Sequence, residues 1–295
     1  MRTLILKGGL GNQLFQLSLY LFLLKKFGVN NFYIDKNVGF ILDYKYQRKY
    51  ELGQLSRYIK FSNYFLNFFN LLILLLKRLH PKILKLFFVE IYCENNLKNI
   101  NFKNSKFNFK YQLFDGYFQD FFIINEVKYE LFQLVKPLLK ESQNDLFKSL
   151  NLRIKEAKDS IALCIRFYEE TRNPSLHSNP KEKPKSIEDY NRIISILENK
   201  LDFPYFFIFV QEENFFTDSL VFNSPHEFVT HKKGFMGSWE RLFSQSLCDN
   251  HVFNNSTFYY WGAFFSDINN NKKSIIYISN NFIFKEIYNP NWKTF

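Results

Sequence analysis

The apolar positions fall into two alternating patterns. Short continuous runs, "TLIL" (3–6), "SIALCIR" (160–166), "YFFIFV" (205–210) and "SIIYIS" (274–279), have the length and the β-branched and aromatic content of strands covered on both faces. "NFYID" (31–35) and "HVFN" (251–254) read as two shorter strands. Longer segments lie between them. "NQLFQLSLYLFLLKKF" (12–27) is apolar on nearly every face and stops at Gly28, a natural helix end. "SIEDYNRIISILENK" (186–200) predicts a helix with Ser186 as its cap and Asp189 three residues on. "SWERLFSQSLC" (238–248) and "TFYYWGAFF" (257–265) predict two more. Strand, turn, helix, strand is a βαβ unit, so the expected class is α/β with parallel sheets.

The pattern breaks at "KESQNDLFKSLNLRIKEAKDS" (140–160), which turns polar. Two α/β domains with a cleft between them follow from this: residues 1–150, residues 155–285, and a tail over 286–295. "EETRNPSLHSNPKEKPKS" (169–186) carries three prolines and dense charge and reads as a long exposed loop of the functional or disordered kind. "YFLNFFNLLILLLKRLHPK" (64–82) is the most lipid-like stretch. Its pure apolar run, Leu71 to Leu76, is far short of the roughly 20 residues that span a bilayer. It reads as a buried helix. The alternative is a helix lying on a membrane surface, with Lys77, Arg78, Lys82 and Lys85 at the headgroups.

Composition changes this picture little. The 295 residues are 46% hydrophobic, ample for a core, and the 38 Phe match the codon bias of an A+T-rich genome. The net charge of +11 favours anionic surfaces or phosphorylated substrates. The lysines are spread along the chain, so a nucleic-acid partner is not expected. Cys93, Cys164 and Cys248 lack CxxC spacing and suit reduced thiols. The N-terminus lacks the apolar length of a signal peptide, so a cytoplasmic protein is expected, with peripheral attachment to the membrane's cytoplasmic face as the alternative.

Three segments carry chemistry. "LKGGLGNQLFQL" (6–17) places Gly8, Gly9 and Gly11 between a strand and a helix, where backbone N–H groups and the helix dipole bind phosphate. It is neither a Walker A loop nor a full dinucleotide fingerprint, since Leu14 stands where the third glycine belongs. Asn12 and Gln13 add uncharged amide donors; a tight turn capped by Asn12 is the plain alternative. "VFNNSTFYYWGAFF" (252–265) brings Asn255, Ser256, Thr257 and Phe258 to a helix start, an anion site or an ordinary cap. "ALCIRFYEE" (162–170) ends a strand on Arg166, the side chain suited to bidentate phosphate recognition, with Glu169 close by as a base; a surface Arg–Glu pair is the alternative.

These segments resemble a family. "GGLGNQLFQ" looks like the opening motif of the inverting α-1,2-fucosyltransferases, glycosyltransferase family 11. "YQRKYELGQL" (46–55) resembles its Arg-x-(Phe/Tyr)-x-Leu segment, and "DGYFQD" (115–120) its GYFQ motif. "CIRFYEE" stands at its H-x-R-R-G-D-Y, "FFIFVQEE" (206–213) at its F-x-x-F-S-D-D, and "CDNHVFNNSTFYYWGAF" at its N-S-[ST]-F-S-W-W block; "NPNW" resembles its closing P-x-x-W. The matches run in order from residue 5 to residue 292.

The resemblance implies a GT-B-like architecture of two Rossmann-like domains facing a cleft, the N-terminal on the acceptor side and the C-terminal binding the donor. It implies GDP-β-L-fucose as donor, a galactoside hydroxyl of a glycan or glycolipid as acceptor, and no metal or other cofactor; the sequence has no Asp-x-Asp. Arg166, Glu169 and Asn12 take the catalytic positions. Gly9, Gly11, Asn255, Ser256, Thr257 and Phe258 take the donor side, and Asp115, Tyr117, Gln119 and Asp120 the acceptor cleft. Asp115 and Asp120 are the reserve candidates for the base. The chain departs from the family at Cys164, Phe167, Tyr168 and Glu169, which replace its His, second Arg, Gly and Asp. Those changes leave open a different nucleotide sugar, or a non-catalytic glycan-binding relative.

Overall fold

The computed structural model describes residues 1–28, 32–44, 46–53, 55, 58–79, 84, 88–94, 111–167, 185–269, 274–282 and 285–295. The chain divides into two units, Met1–Val135 and Lys136–Phe295. Each is built on its own parallel sheet, so the two-unit α/β organisation expected from the sequence is present.

In the first unit the strands β1 (Arg2–Ile5), β2 (Phe32–Asp35), β3 (Val89–Tyr92) and β4 (Tyr111–Phe114) lie in the order β2-β1-β4-β3. All pairings are parallel, with Leu4 opposite Ile34 on one side and Phe114 on the other. Helix α1 (Leu10–Phe27) supplies the crossover from β1 to β2. It is buried along its length because α4 (Phe121–Val135) packs on it through Ile124, Val127 and Leu131. Gly28 ends α1 in the left-handed region, φ 57, where its N–H donates to Leu24 O at 2.9 Å. A one-turn helix α2 (Val38–Ile41) follows β2. Helix α3 (Tyr64–Leu79) covers the sheet through Leu66, Ile73 and Leu74.

The second unit holds β5 (Asp159–Cys164), β6 (Pro204–Phe209), β7 (His226–Val229), β8 (Asn250–Phe253), β9 (Ile276–Ile278) and β10 (Lys293–Thr294). Their order is β10-β9-β8-β5-β6-β7, again all parallel. Numbered within the unit this is 3-2-1-4-5-6, the Rossmann order. Ile161, Leu163 and Ile165 face α6 (Ile187–Glu198) in one core layer. On α6 the Ser186 hydroxyl accepts from Asp189 N at 3.1 Å, the cap expected from the sequence. The remaining helices are α5 (Asp145–Glu156), the short α7 (Phe215–Asp218), α8 (Ser238–Leu247) and α9 (Thr257–Asn269).

Three boundaries differ from the sequence reading. The unit boundary falls at Val135 rather than 150, because α5 packs on α8, with Ser244 Oγ 2.6 Å from Asn151 Oδ1 and Phe147 against Phe235. The segment 286–295 is not a separate tail: Lys293–Thr294 pairs with Tyr277–Ile278, and Phe295 enters the core. The helix over 64–79 is not buried. Its inward side is buried, while Tyr64, Phe65 and Phe68 are 91, 80 and 66% exposed.

Candidate functional site

The second unit's sheet changes direction between β5 and β8. The connection after β5 runs to β6, and the connection after β8 runs the opposite way, to β9. Ligands of parallel sheets bind in the crevice that opens at the carboxyl ends of such a strand pair. Arg166 lies two residues past β5, and Asn255 to Thr257 lie between β8 and the start of α9. The expected residues Arg166, Asn255, Ser256, Thr257 and Phe258 therefore all stand at the carboxyl ends of this strand pair.

Local chemistry fixes the geometry there. Asn254 is fully buried at the end of β8. Its Oδ1 accepts from Arg166 N at 2.8 Å and its Nδ2 donates to Arg166 O at 2.9 Å. The Tyr259 hydroxyl donates to Phe209 O at 3.1 Å, tying α9 to β6. Ser256 is buried and its Oγ lies 3.5 Å from Tyr259 N, so this hydroxyl caps α9. Thr257, Phe258 and Arg166 are half-buried.

The residues at which the chain departs from the motifs it resembles have structural surroundings of their own. Phe167 is in the core, edge-on to Phe216 at 5.4 Å. Cys164 is buried, and burial pushes its thiol well above the usual range. Glu212 and Glu213 pair with Lys232 at 3.1 Å and Lys233 at 2.8 Å. Glu169, the expected base, and most of the loop over 169–186 lie outside the described residues.

In the first unit a second constellation gathers at the carboxyl ends of β1 and β4. Gly8 has φ 77, and a Cβ there would stand 2.7 Å from Asn12 Nδ2 and 3.0 Å from Tyr117 Cε1. The protein's own side chains thus exclude one at Gly8. Gly9 is the N-cap of α1, and a Cβ there would meet nothing. Asn12 is not the cap; it lies inside the helix and its Oδ1 accepts from Gln119 Nε2 at 3.0 Å. Gln119 is itself buried, and its Oε1 is without a partner. Gln13 is fully used internally, donating to Gly8 O and Lys49 O and accepting from Glu51 N. It has no amide left for an oxyanion.

Several residues here had no local sequence signal. The Glu51 carboxylate accepts from Leu10 N at 3.1 Å, so an anion of the chain already sits at the start of α1. Gln16 staples the two strand ends, donating to Ile5 O and Gly116 O while accepting from Lys7 N. Glu94 accepts from Tyr117 N and Phe118 N, holding Phe118 at φ 56 in the left-handed region. Each partner is distant in sequence; Gln16 and Glu51 lie in motif segments, and Glu94 lies in none.

The acceptor-side carboxylates are also committed. Asp115 lies 2.8 Å from Lys7 Nζ and 2.9 Å from Lys77 Nζ. Burial acts to raise its pKa, but the two ammonium groups outweigh it and hold the carboxyl below its ordinary value. A carboxylate so stabilised is a weak base. Asp120 caps α4, its Oδ1 accepting from Phe122 N at 2.8 Å. Burial raises the Tyr117 phenol, and Lys7 Nζ stands 5.3 Å from the centre of its ring. Among the described residues no three His, Cys, Asp or Glu side chains come together as a metal would need.

No protein-family model matches the chain, and no curated protein matches it. A solved structure of an arginine-to-lysine mutant of Arabidopsis thaliana FUT1 in complex with GDP is similar over 95% of this chain and 71% of that chain, with 13% identity and a TM-score of 0.40.

Proposed function

We propose that this protein is an inverting glycosyltransferase that moves L-fucose from GDP-β-L-fucose to a galactoside hydroxyl of a glycan or glycolipid, forming an α-1,2 linkage. The observation that carries the reading is the meeting of Arg166 and the Asn255–Thr257 helix start at the direction change of a 3-2-1-4-5-6 parallel sheet. The ordered motif resemblance gives that crevice its substrate.

The chemistry follows from charge. As the glycosidic bond breaks, the GDP leaving group gains negative charge that fixed donors must stabilise. Arg166 supplies a planar fork for the diphosphate, and the Thr257 hydroxyl and N–H groups at the start of α9 add dipoles aimed at it. The Ser256 side chain holds the helix start in place. This donor set works without a metal, and activity that survives EDTA is the expected result. The acceptor hydroxyl attacks in line and gives its proton to a base. Asp115 and Asp120 are committed to lysines and to a helix cap, so the role falls to Glu169. Asn12, Gly9, Gly11, Tyr117 and Gln119 belong to the acceptor-side unit in this reading. The three free cysteines support a cytoplasmic location.

A panel of nucleotide sugars tests the proposal: purified protein, an acceptor galactoside, and detection of released nucleotide. Release of GDP from GDP-fucose alone is the expected result. Turnover of another sugar nucleotide would transfer the assignment to that donor. GDP binding without turnover of any donor would leave a glycan-binding relative.

A further inference from the structure

Helix α3 packs inward through Leu66, Ile73 and Leu74, and its asparagines Asn67 and Asn70 lie on the same buried side. Asn70 is fully buried, donating from Nδ2 to Asp35 Oδ2 at 2.7 Å and accepting from the Tyr111 hydroxyl. Asn67 bonds Ser62. Lys77, on the same side, reaches Asp115. These bonds fix the rotation of the helix, because turning it would strip buried polar groups of their partners. What faces outward is apolar: Tyr64, Phe65, Phe68, Leu72, Leu75 and Leu79 are all exposed. From Phe65 on they are spaced three and four apart, so they form one stripe along the whole helix. A monomer in water gains nothing from such a stripe, and exposed apolar patches of this kind mark interaction surfaces.

Charge identifies the partner. Residues 61–89 contain four Lys and Arg and no Asp or Glu. Residues 1–135, the unit that carries the helix, hold 19 of the 39 Lys and Arg but only nine of the 28 Asp and Glu, so ten of the eleven excess positive charges lie in it. We infer that α3 docks the protein on the surface of an anionic phospholipid bilayer, with its apolar stripe seated at the level of the acyl chains and the exposed Arg78 at the headgroups. A second copy of this chain fits poorly. A helix pair of that seam spacing uses opposite charges along its flanks, and α3 has no acidic residue. The docking is peripheral: among the described residues no helix is long and apolar enough to cross a membrane. Lys77 takes no part at the headgroups, being committed to Asp115. The inference concerns a face of the first unit and does not depend on the assignment of a donor.

The test is co-sedimentation of the full chain with two kinds of vesicle, phosphatidylcholine alone and phosphatidylcholine mixed with phosphatidylglycerol. Binding to the mixed vesicles alone, weakened in high salt, is expected. Phe68→Glu, Leu72→Glu and Leu75→Glu should each lower partitioning by about tenfold or more, since each removes an apolar side chain from the contact. The same change at an exposed phenylalanine of the second unit, Phe203→Glu, should leave it unaltered. These side chains are exposed, so melting temperatures should stay close to the parent's. Failure of the parent to bind mixed vesicles, equal binding to both kinds, or stripe variants that bind like the parent would each overturn the inference. Stripe variants that turn a dimer into a monomer without altering vesicle binding would overturn it in favour of a second copy.

Discussion

The side-chain amide of Asn254 is bonded to both main-chain polar groups of Arg166, at 2.8 and 2.9 Å. One buried side chain at the end of β8 therefore decides where the chain leaves β5, and with it the origin of the Arg166 guanidinium. Asn254→Ala leaves an N–H and a carbonyl of Arg166 without these partners. Each such loss costs about 1–3 kcal/mol when the group is buried. With two such bonds removed, urea melts should show a loss of about 2–6 kcal/mol. In the proposed reaction turnover should fall as well, since a displaced Arg166 no longer meets the diphosphate.

Arg166→Lys should lose most activity and Arg166→Ala nearly all of it, with circular dichroism unchanged. Lysine keeps the charge but not the two-pronged geometry. Removing one such donor from a water-poor site typically costs ~10²–10³ in turnover. Rates within a few-fold of the parent for both variants would remove Arg166 from the site.

Gly8 and Gly9 separate two reasons for a glycine. Gly8→Ala meets Asn12 at 2.7 Å with φ 77, so it should destabilise the fold by about 1–3 kcal/mol. Gly9→Ala has open space and φ −75, so stability should change by no more than about 0.5 kcal/mol. A loss of turnover in Gly9→Ala at unchanged melting temperature would place a substrate against that backbone.

Asp115 makes stability depend on acid. Its folded pKa lies below the unfolded value of about 3.9. The stabilisation is therefore complete above the unfolded pKa and is lost as the pH falls through about 4 and below. Asp115→Asn should be less stable than the parent at pH 7, with Lys7 and Lys77 left facing each other, and the gap should close on acidification. Thermal melts from pH 7 to pH 3 read both.

His251 acts over a different window. It is fully buried, and burial lowers its pKa to about 3. The folded chain keeps it neutral while the unfolded chain takes up a proton below about pH 6.5. The unfolded state then binds more protons, so stability falls as the pH drops from about 6.5 towards 3, by up to about 1.4 kcal/mol per pH unit from this group. In His251→Leu that slope should disappear from denaturant melts across the window.

The apolar pattern along the chain made four of the second unit's strands legible, β5, β6, β8 and β9, with helices α6, α8 and α9, but not β7, β10, α5 or α7. The apolar runs are continuous because both sheet faces are covered, and Ser186 marks a helix start by local hydrogen bonding. The sequence by itself also marked Arg166 and Asn255–Thr257, since strand ends and helix starts are local features. Tertiary structure alone decided the partners. Nothing near Asp115 in sequence announces Lys7 or Lys77, and nothing near Leu10 announces Glu51, because pairing depends on which strand ends become neighbours. It also decided the rotation of α3. The helix is apolar on both sides, with Leu66, Ile73 and Leu74 in the core, and two inward asparagines bonded to Asp35, Tyr111 and Ser62 help select which apolar side stays outside. Buried hydrogen bonds are directional and costly to lose, whereas hydrophobic burial is not directional, so the polar contacts set the face.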